Sequence, residues 1–265
     1  MKSLAGVLAV SVAVAFGSAP CAVGQQTEIV VSAAASLTDV LGSLSSQAER
    51  VIGAKVLFNF GGSGALRRQI EEGAPVDVFF SASTEDVEAL EAKGLLVAGS
   101  RNDLLSNTVV LIGGPQASPI DATTMANATD ALRALLSGAS VLAIGNPDTV
   151  PAGRYAVRAL TTYGLFSIVK SKLALAGNVR EVLQYVQNGS APLGIVFATD
   201  VLAAPPGTVR QIYSFPESSL GDHPILYPVA VVSASKHKDE AMKMIEFLQG
   251  NAAREAFRAA GFILK

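Results

Sequence analysis

Four segments of the chain place small or hydroxyl-bearing residues where a strand-like stretch meets a helix-like stretch. They are residues 33–37 (AAASL), 60–66 (FGGSGAL), 150–155 (VPAGRY) and 178–181 (NVRE). The first turn of a helix has backbone N–H groups without helical partners and carries about half a positive charge. Since small residues let an anion approach that backbone, several such ends in one cleft would bind a dianion without Lys or Arg. Ordinary helix capping is the better explanation of any one junction alone.

The residue pattern gives less support to a phosphate loop, a hydrolase site or a metal site. The glycine-rich segment 61–64 lacks the Gly-Lys-Ser/Thr ending of a phosphate loop. A serine hydrolase acting through Ser36 or Ser63 would need His223 or His237 beside it, and neither histidine is near a predicted junction. No spacing typical of metal ligands is present. We therefore expect a protein that is not an enzyme, with no catalytic residues and no cofactor.

Strand-like and helix-like patterns alternate along the chain. Apolar runs typical of strands occupy residues 28–32, 55–60, 76–80, 108–112, 141–144, 193–197 and 229–232. Helices are predicted to begin near Ala152 and Val179, and two amphipathic helices end the chain. This alternation predicts an α/β fold with mostly parallel sheets flanked by helices. Because no flexible linker separates the two α/β units, we expect two lobes joined by strands that cross between them.

Two acidic residues stand where helix caps are expected. Ser83 and Asp86 have the spacing of a capping box. Asp39 follows Ser36 by three residues and is expected to cap the Ser36 N–H from the first helical turn, rather than to point inward and repel an anion.

The N-terminus has the composition of an export signal. Lys2 is followed by an apolar run of about 13 residues and then by small residues, as in a cleavable signal peptide. The run is too short for a membrane-spanning helix, which needs about 20 residues. Pro20 directly before Cys21 is unfavourable for a lipoprotein signal. We expect residues 1–24 to be removed and the mature chain to reside in the periplasm.

Composition narrows the class of protein further. Half of the 265 residues are hydrophobic and 16% are charged, which excludes intrinsic disorder. Twenty Lys and Arg residues face 22 Asp and Glu residues, giving a net charge of −2. No basic block is present, so we expect no binding of nucleic acid.

Six motifs resemble one known family, and they follow its order over nearly the whole mature chain. They are residues 34–38 (AASLT), 68–77 (RQIEEGAPVD), 147–155 (PDTVPAGRY), 191–196 (APLGIV), 227–231 (YPVAV) and 261–262 (GF). On these residues the chain is similar to the periplasmic molybdate-binding proteins of molybdate ABC transporters. The resemblance implies a two-lobe periplasmic binding protein of type II. Lobe 1 would comprise residues 25–107 and 229–265, and lobe 2 residues 108–228.

The resemblance also implies which residues hold the anion. Ser36 and Ser63 would donate from side chain and backbone, and Ala152 and Val179 from their backbone N–H groups. These positions coincide with the four junctions. The family has a fifth donor, a Tyr, but the matching residue here is Phe197, which would only form part of the pocket wall. Molybdenum would be bound only as its oxyanion, with no direct bond from protein to metal.

The function implied is high-affinity binding of molybdate, and also of tungstate, by a monomer that delivers the anion to an ABC permease for import. The alternative within this class is a binding protein for sulfate or another tetrahedral oxyanion. An exported serine hydrolase is a less favoured alternative. A purely structural adhesion module would leave the four anion-ready helix starts unexplained.

Overall fold

A computed structural model describes residues 27–120 and 124–265 of the chain. The predicted signal peptide, residues 1–24, lies outside the described residues. No helix within the described ranges has the length and apolar character needed to cross a membrane.

The described strands form two separate sheets. One sheet has six strands in the order β11-β4-β10-β3-β1-β2, and the other has five in the order β7-β6-β8-β5-β9. The bounds are β1 Glu28–Ala34, β2 Lys55–Gly61, β3 Val78–Phe80, β4 Asn102–Ser106, β5 Val109–Gly113, β6 Leu142–Gly145, β7 Leu173–Ala176, β8 Leu193–Phe197, β9 Arg210–Ser214, β10 Leu226–Val231 and β11 Ile263–Leu264. Each sheet, with its helices, forms one lobe, so the predicted two-lobe α/β fold is confirmed.

Both sheets are mixed, which corrects the expectation of mostly parallel sheets. In the first lobe β1 is parallel to β2 and β3, but β10 is antiparallel to β3 and β4. In the second lobe β6 is parallel to β7 and β8, but β5 is antiparallel to β8 and β9. The reason is that β5 and β10 enter their sheets from the other lobe. They therefore run away from the cleft, whereas their parallel neighbours run towards it.

The helices begin and end at local signals. The described α-helices are α1 Thr38–Ile52, α2 Ser63–Glu71, α3 Thr84–Ala92, α4 Met125–Gly138, α5 Pro151–Thr162, α6 Phe166–Val169, α7 Val179–Gln187, α8 Ala198–Ala203, α9 Lys238–Gln249 and α10 Asn251–Ala259. Helix α7 begins at the predicted residue, and α5 begins one residue before Ala152, at a proline whose missing N–H is not needed there. Helix α1 ends at Gly53, whose φ of 74° suits glycine.

Helices cover both faces of the first sheet and hold its strand ends in place. Adjacent residues of β3 point to opposite faces: Phe79 packs with buried side chains of α2 and α3, while Phe80 meets Phe257 of α10 edge to face. The buried Asp77 carboxylate just before β3 accepts the Val30 N–H at 2.7 Å and the Ser235 hydroxyl at 2.6 Å. Because parallel strands end together at the cleft, this packing fixes the loops that face the second lobe.

Candidate functional site

A small pocket lies between the two lobes at the carboxyl ends of the parallel strands. About 200 Å³ there is not filled by protein atoms, part of it open to solvent, and all of its lining residues are uncharged. The structure brings all five residues singled out in the sequence to this lining: Ser36, Ser63, Ala152, Val179 and Phe197.

The second lobe contributes two backbone N–H groups that the local capping leaves free. At the start of α5, the Gly153 and Arg154 N–H groups donate to the Val150 carbonyl at 3.0 and 3.2 Å. Pro151 has no N–H, so the Ala152 N–H is the one without a partner among the described residues. It lies at the positive end of a twelve-residue helix and lines the pocket.

Helix α7 repeats this arrangement with a different cap. The Asn178 Oδ1 atom accepts the Arg180 and Glu181 N–H groups at 2.9 and 3.1 Å. The Val179 N–H is therefore left without a hydrogen-bond partner in the described part of the chain. Capping and anion binding are thus compatible at this junction, because the Asn178 cap accepts the Arg180 and Glu181 N–H groups and does not use the Val179 N–H.

The first lobe contributes two buried serines. Ser36 lies in a 3₁₀ turn, Ala35–Leu37, directly after β1, and Ser63 is the first residue of α2. The hydroxyls of Ser36 and Tyr227 are 3.0 Å apart, and the Ser63 Oγ accepts the Ala82 N–H at 3.0 Å. Each serine hydroxyl is therefore held in place by a partner, and both serines line the pocket.

Phe197 ends β8 and forms an apolar part of the wall. Its side chain is 1% exposed, and its ring lies 6.3 Å from that of Tyr155 and 5.9 Å from that of Tyr227, measured between centroids. The Phe197 N–H is not available either, since it donates to Asp200 Oδ2 at 3.0 Å. Phe197 thus presents no hydrogen-bond donor to the pocket.

The two lobes are in direct contact beside the pocket. The Gly64 N–H donates to the Thr149 carbonyl of the second lobe at 2.9 Å. A Cβ atom at Gly62 would lie 2.7 Å from the Thr149 carbonyl oxygen and 2.9 Å from that of Gly177. Glycine at position 62 is therefore required by the approach of the second lobe, and the structure is that of a closed cleft.

Two acids that were predicted to cap helices bind arginines of the second lobe instead. Asp86 forms ion pairs with Arg67 of its own lobe and with Arg154, and the Ser83 side chain makes no cap. Asp39 lies 2.5 Å from Arg180, so it does not cap the Ser36 N–H. Both capping expectations are wrong because an arginine across the cleft is a stronger partner for a carboxylate than a backbone N–H.

Further charges line the rim of the cleft near α3. Glu85 pairs with both Arg154 and Arg158. Burial acts to raise the pKa of Glu85, but the two arginines outweigh it and the net shift is downward. Glu85 is therefore ionised at neutral pH and helps to hold α3 against α5.

Arg180 pairs with Asp39 at the cleft and with the buried Asp200 inside the second lobe. Its Nε lies 2.8 Å from Oδ1 of Asp200, whose carboxyl is fully buried. Burial raises the pKa of Asp200 to about 6, and Arg180 opposes that shift. Asp200 is mostly ionised at pH 7 and anchors Arg180 between the two lobes.

Among the described residues, the geometry shows neither a cluster of metal ligands nor a histidine beside the pocket serines. No group of three or more His, Cys, Asp or Glu residues within the described ranges could hold a metal ion. His223 lies 3.4 Å from Glu85, and His237 precedes α9; neither lines the pocket. The hydrolase alternative therefore lacks a histidine base beside Ser36 or Ser63.

The residues that connect the lobes have no recognisable local pattern in the sequence. Arg154 and Arg180 follow the two backbone donors closely, but their acidic partners are distant in sequence and no local pattern pairs them. Tyr227 was part of a recognised motif without an assigned role. Its hydroxyl proves to be the partner of Ser36 across 191 positions of the chain.

Comparison with known proteins identifies the family. The bacterial extracellular solute-binding proteins match residues 29–263. The molybdate-binding protein ModA of Escherichia coli K12 is 37% identical over 254 residues, covering 96% of this chain and 95% of that protein. The ModA protein of Haemophilus influenzae is 35% identical, covering 90% and 91% of the two chains. The chain belongs to the ModA family.

Solved structures agree with this membership in the ModA family. The periplasmic molybdate-binding protein of Azotobacter vinelandii superposes with a TM-score of 0.74 at 25% identity, covering 89% of this chain and 99% of that one. The sulfate-binding protein SubI of Mycobacterium tuberculosis has a TM-score of 0.70 at 17% identity, covering 89% and 86%. The second similarity shows the fold alone, so it is the ModA relatives that define the family.

Proposed function

We propose that this protein binds molybdate, and also tungstate, in the pocket between its lobes and delivers the anion to an ABC permease for import. The observation that supports the proposal is that two serines and two helix starts, whose N–H groups have no partner among the described residues, line one uncharged pocket. Relatives named as molybdate-binding proteins, at 37% and 35% identity, support this choice of anion.

The donors assigned to the anion are neutral. Ser36 and Ser63 donate from the first lobe, and the Ala152 and Val179 N–H groups donate from the second. Three of these residues lie in the first turn of an α-helix, where the backbone dipoles favour negative charge. Closure of the lobes excludes water, and this strengthens every one of these interactions.

Size would separate molybdate and tungstate from sulfate. The donors are fixed by helix starts and by hydrogen bonds behind the serines, so they cannot all move inward to reach a smaller ion. Sulfate or another tetrahedral oxyanion remains the competing ligand. Phe197 leaves the ligand with one donor fewer than the family pattern.

The proposed function also has consequences for the location, the oligomeric state and the movement of the lobes. We place the mature protein in the periplasm after removal of residues 1–24, and we propose that it works as a monomer without catalysis, cofactor or nucleic acid. The moving bodies would be residues 25–107 with 229–265 and residues 108–228. The permease would receive the anion when these bodies separate.

Ligand identity is tested by titration of the mature protein. Molybdate and tungstate should raise the melting temperature, because they bind the folded state only. At about 100 times Kd the stabilisation is about 2.7 kcal/mol. Sulfate and phosphate at matched concentration should stabilise far less. Equal stabilisation by sulfate would contradict the size argument, and no effect of molybdate in calorimetry would reject the proposed function.

The serines are tested one at a time. Ser36→Ala and Ser63→Ala each remove a hydroxyl donor to a charged ligand, so each should weaken molybdate binding by roughly 1.5–3 kcal/mol, about 10- to 150-fold. Ser43→Ala is the matched control, because its hydroxyl bonds to the Val40 carbonyl on the exposed face of α1. Calorimetry measures the affinities. Normal binding by both site variants would mean that the serines act only in folding.

Lobe closure is tested at Gly62. Its φ of −69° is compatible with alanine, so Gly62→Ala should leave the first lobe folded but obstruct the approach of Thr149. An overpacked contact costs roughly 1–3 kcal/mol, so molybdate affinity should fall about 5- to 150-fold. Gly42→Ala is the control, since nothing lies within 4 Å of its added Cβ. Unchanged calorimetric affinity in Gly62→Ala would show that closure this tight is unnecessary.

The missing donor is tested by restoring it. Phe197→Tyr should add an O–H at the pocket wall and tighten molybdate binding. A charge-assisted bond contributes roughly 1.5–3 kcal/mol, less the cost of displacing bound water. We expect a gain of about threefold to a hundredfold, mainly through slower dissociation in stopped-flow measurements. Phe58→Tyr on β2 serves as the control. Weaker binding would indicate that another group already occupies this side of the anion.

A further inference from the structure

A series of hydrogen-bonded, buried polar side chains connects the pocket with the two segments that cross between the lobes. The Ser36 and Tyr227 hydroxyls are 3.0 Å apart. The Asn107 Nδ2 lies 3.2 Å from the Tyr227 hydroxyl and 2.8 Å from the Thr199 Oγ1. These four residues are all buried, so the chain of hydrogen bonds is shielded from solvent.

The orientation of the Asn107 amide is determined by its neighbour. The Thr108 N–H, which can only donate, lies 2.9 Å from Asn107 Oδ1. The other amide atom must therefore be the nitrogen, and it can only donate. Both Tyr227 and Thr199 consequently accept a hydrogen bond from Asn107.

The direction of the next bond follows from this one. The Tyr227 hydroxyl carries one hydrogen, and burial raises its pKa, so the hydrogen is retained. Since the Asn107 amide nitrogen cannot accept, the Ser36 Oγ is the acceptor within hydrogen-bond distance of the Tyr227 hydroxyl among the described residues, and the hydrogen is directed to it. The Ser36 oxygen then accepts, and its own hydrogen is free to point into the pocket.

A hydroxyl that faces an oxyanion must donate, because a lone pair in that position would be repelled. The Ser63 hydroxyl is oriented in this way by a backbone group, because its Oγ accepts a hydrogen bond from the Ala82 N–H. For Ser36 the donor is the Tyr227 hydroxyl, a side-chain group that a substitution can remove.

We infer that Tyr227, oriented by Asn107, is a positioning residue that compels the Ser36 hydroxyl to donate to the bound oxyanion. Neither residue lines the pocket, so each acts through Ser36. The inference rests on the proposed function and assigns the control of one of its donors. Asn107 follows β4, where the chain leaves the first lobe, and Tyr227 lies on β10, where it returns.

The test is a double-mutant cycle with molybdate in calorimetry. Tyr227→Phe keeps the ring that packs against Phe197 and Phe262 and removes the hydroxyl. We expect an affinity loss of about 3- to 30-fold in the native background. In the Ser36→Ala background the same change should alter affinity less than about twofold, because no serine hydroxyl remains to be directed.

A matched control separates positioning from a general effect of losing a buried hydroxyl. Tyr163→Phe removes a hydroxyl that lies 2.6 Å from that of Tyr213 in the second lobe, away from the pocket. Its molybdate affinity should equal that of the native protein. Asn107→Leu provides a second route if Tyr227→Phe does not fold, and its loss of affinity should likewise require Ser36.

Each outcome of the cycle has one meaning. An unchanged affinity in Tyr227→Phe, or an equal loss with and without Ser36, would overturn the inference while leaving the proposed function intact. Failure of the native protein to bind molybdate would reject the proposed function and the inference with it. Loss that depends on Ser36 supports the inference.

Discussion

An anion bound in the proposed pocket would have to be held by neutral dipoles, and the arrangement of the two lobes matches that requirement. A neutral hydrogen bond contributes little in water, so the donors must converge from several sides and water must be excluded. Ser36 and Ser63 lie on one lobe, and Ala152 and Val179 lie on the other. They surround one point only while the lobes are in contact, and that contact requires a residue without a Cβ at position 62.

Cationic side chains lie close to the proposed donors, yet none in the described part of the chain lines the pocket. Arg180 follows Val179 directly, and Arg154 is two residues beyond Ala152. Both are paired with carboxylates, Arg180 with Asp39 and Asp200 and Arg154 with Asp86 and Glu85. A free arginine would attract any oxyanion by charge alone. With the arginines neutralised at the lobe boundary, discrimination is left to the geometry of fixed donors, and the ion pairs themselves hold the lobes together.

The features predictable from sequence were those determined by neighbouring residues. Pro151 and the Asn178 cap locate two helix starts, and these are local effects of backbone geometry. The expectation of mostly parallel sheets was wrong because the directions of β5 and β10 depend on the chain crossing between lobes. The Asp86 cap was wrong for a similar reason: its partner Arg154 is 68 positions away. Positions recognised by family resemblance converge on one pocket, but the interactions that position Ser36 were visible only in three dimensions.

Phe197 increases the importance of how each remaining donor is oriented. Its ring adds an apolar wall, which lowers the local polarity and strengthens the dipoles that remain. If Asn107 and Tyr227 direct the Ser36 hydroxyl, the orientation of that donor depends on both segments that cross between the lobes. Thr199 of the second lobe also accepts from the Asn107 amide, so a hinge movement that withdraws Thr199 would loosen the amide that directs Tyr227 and Ser36. By linkage, whatever stabilises the closed hinge would then also strengthen anion binding.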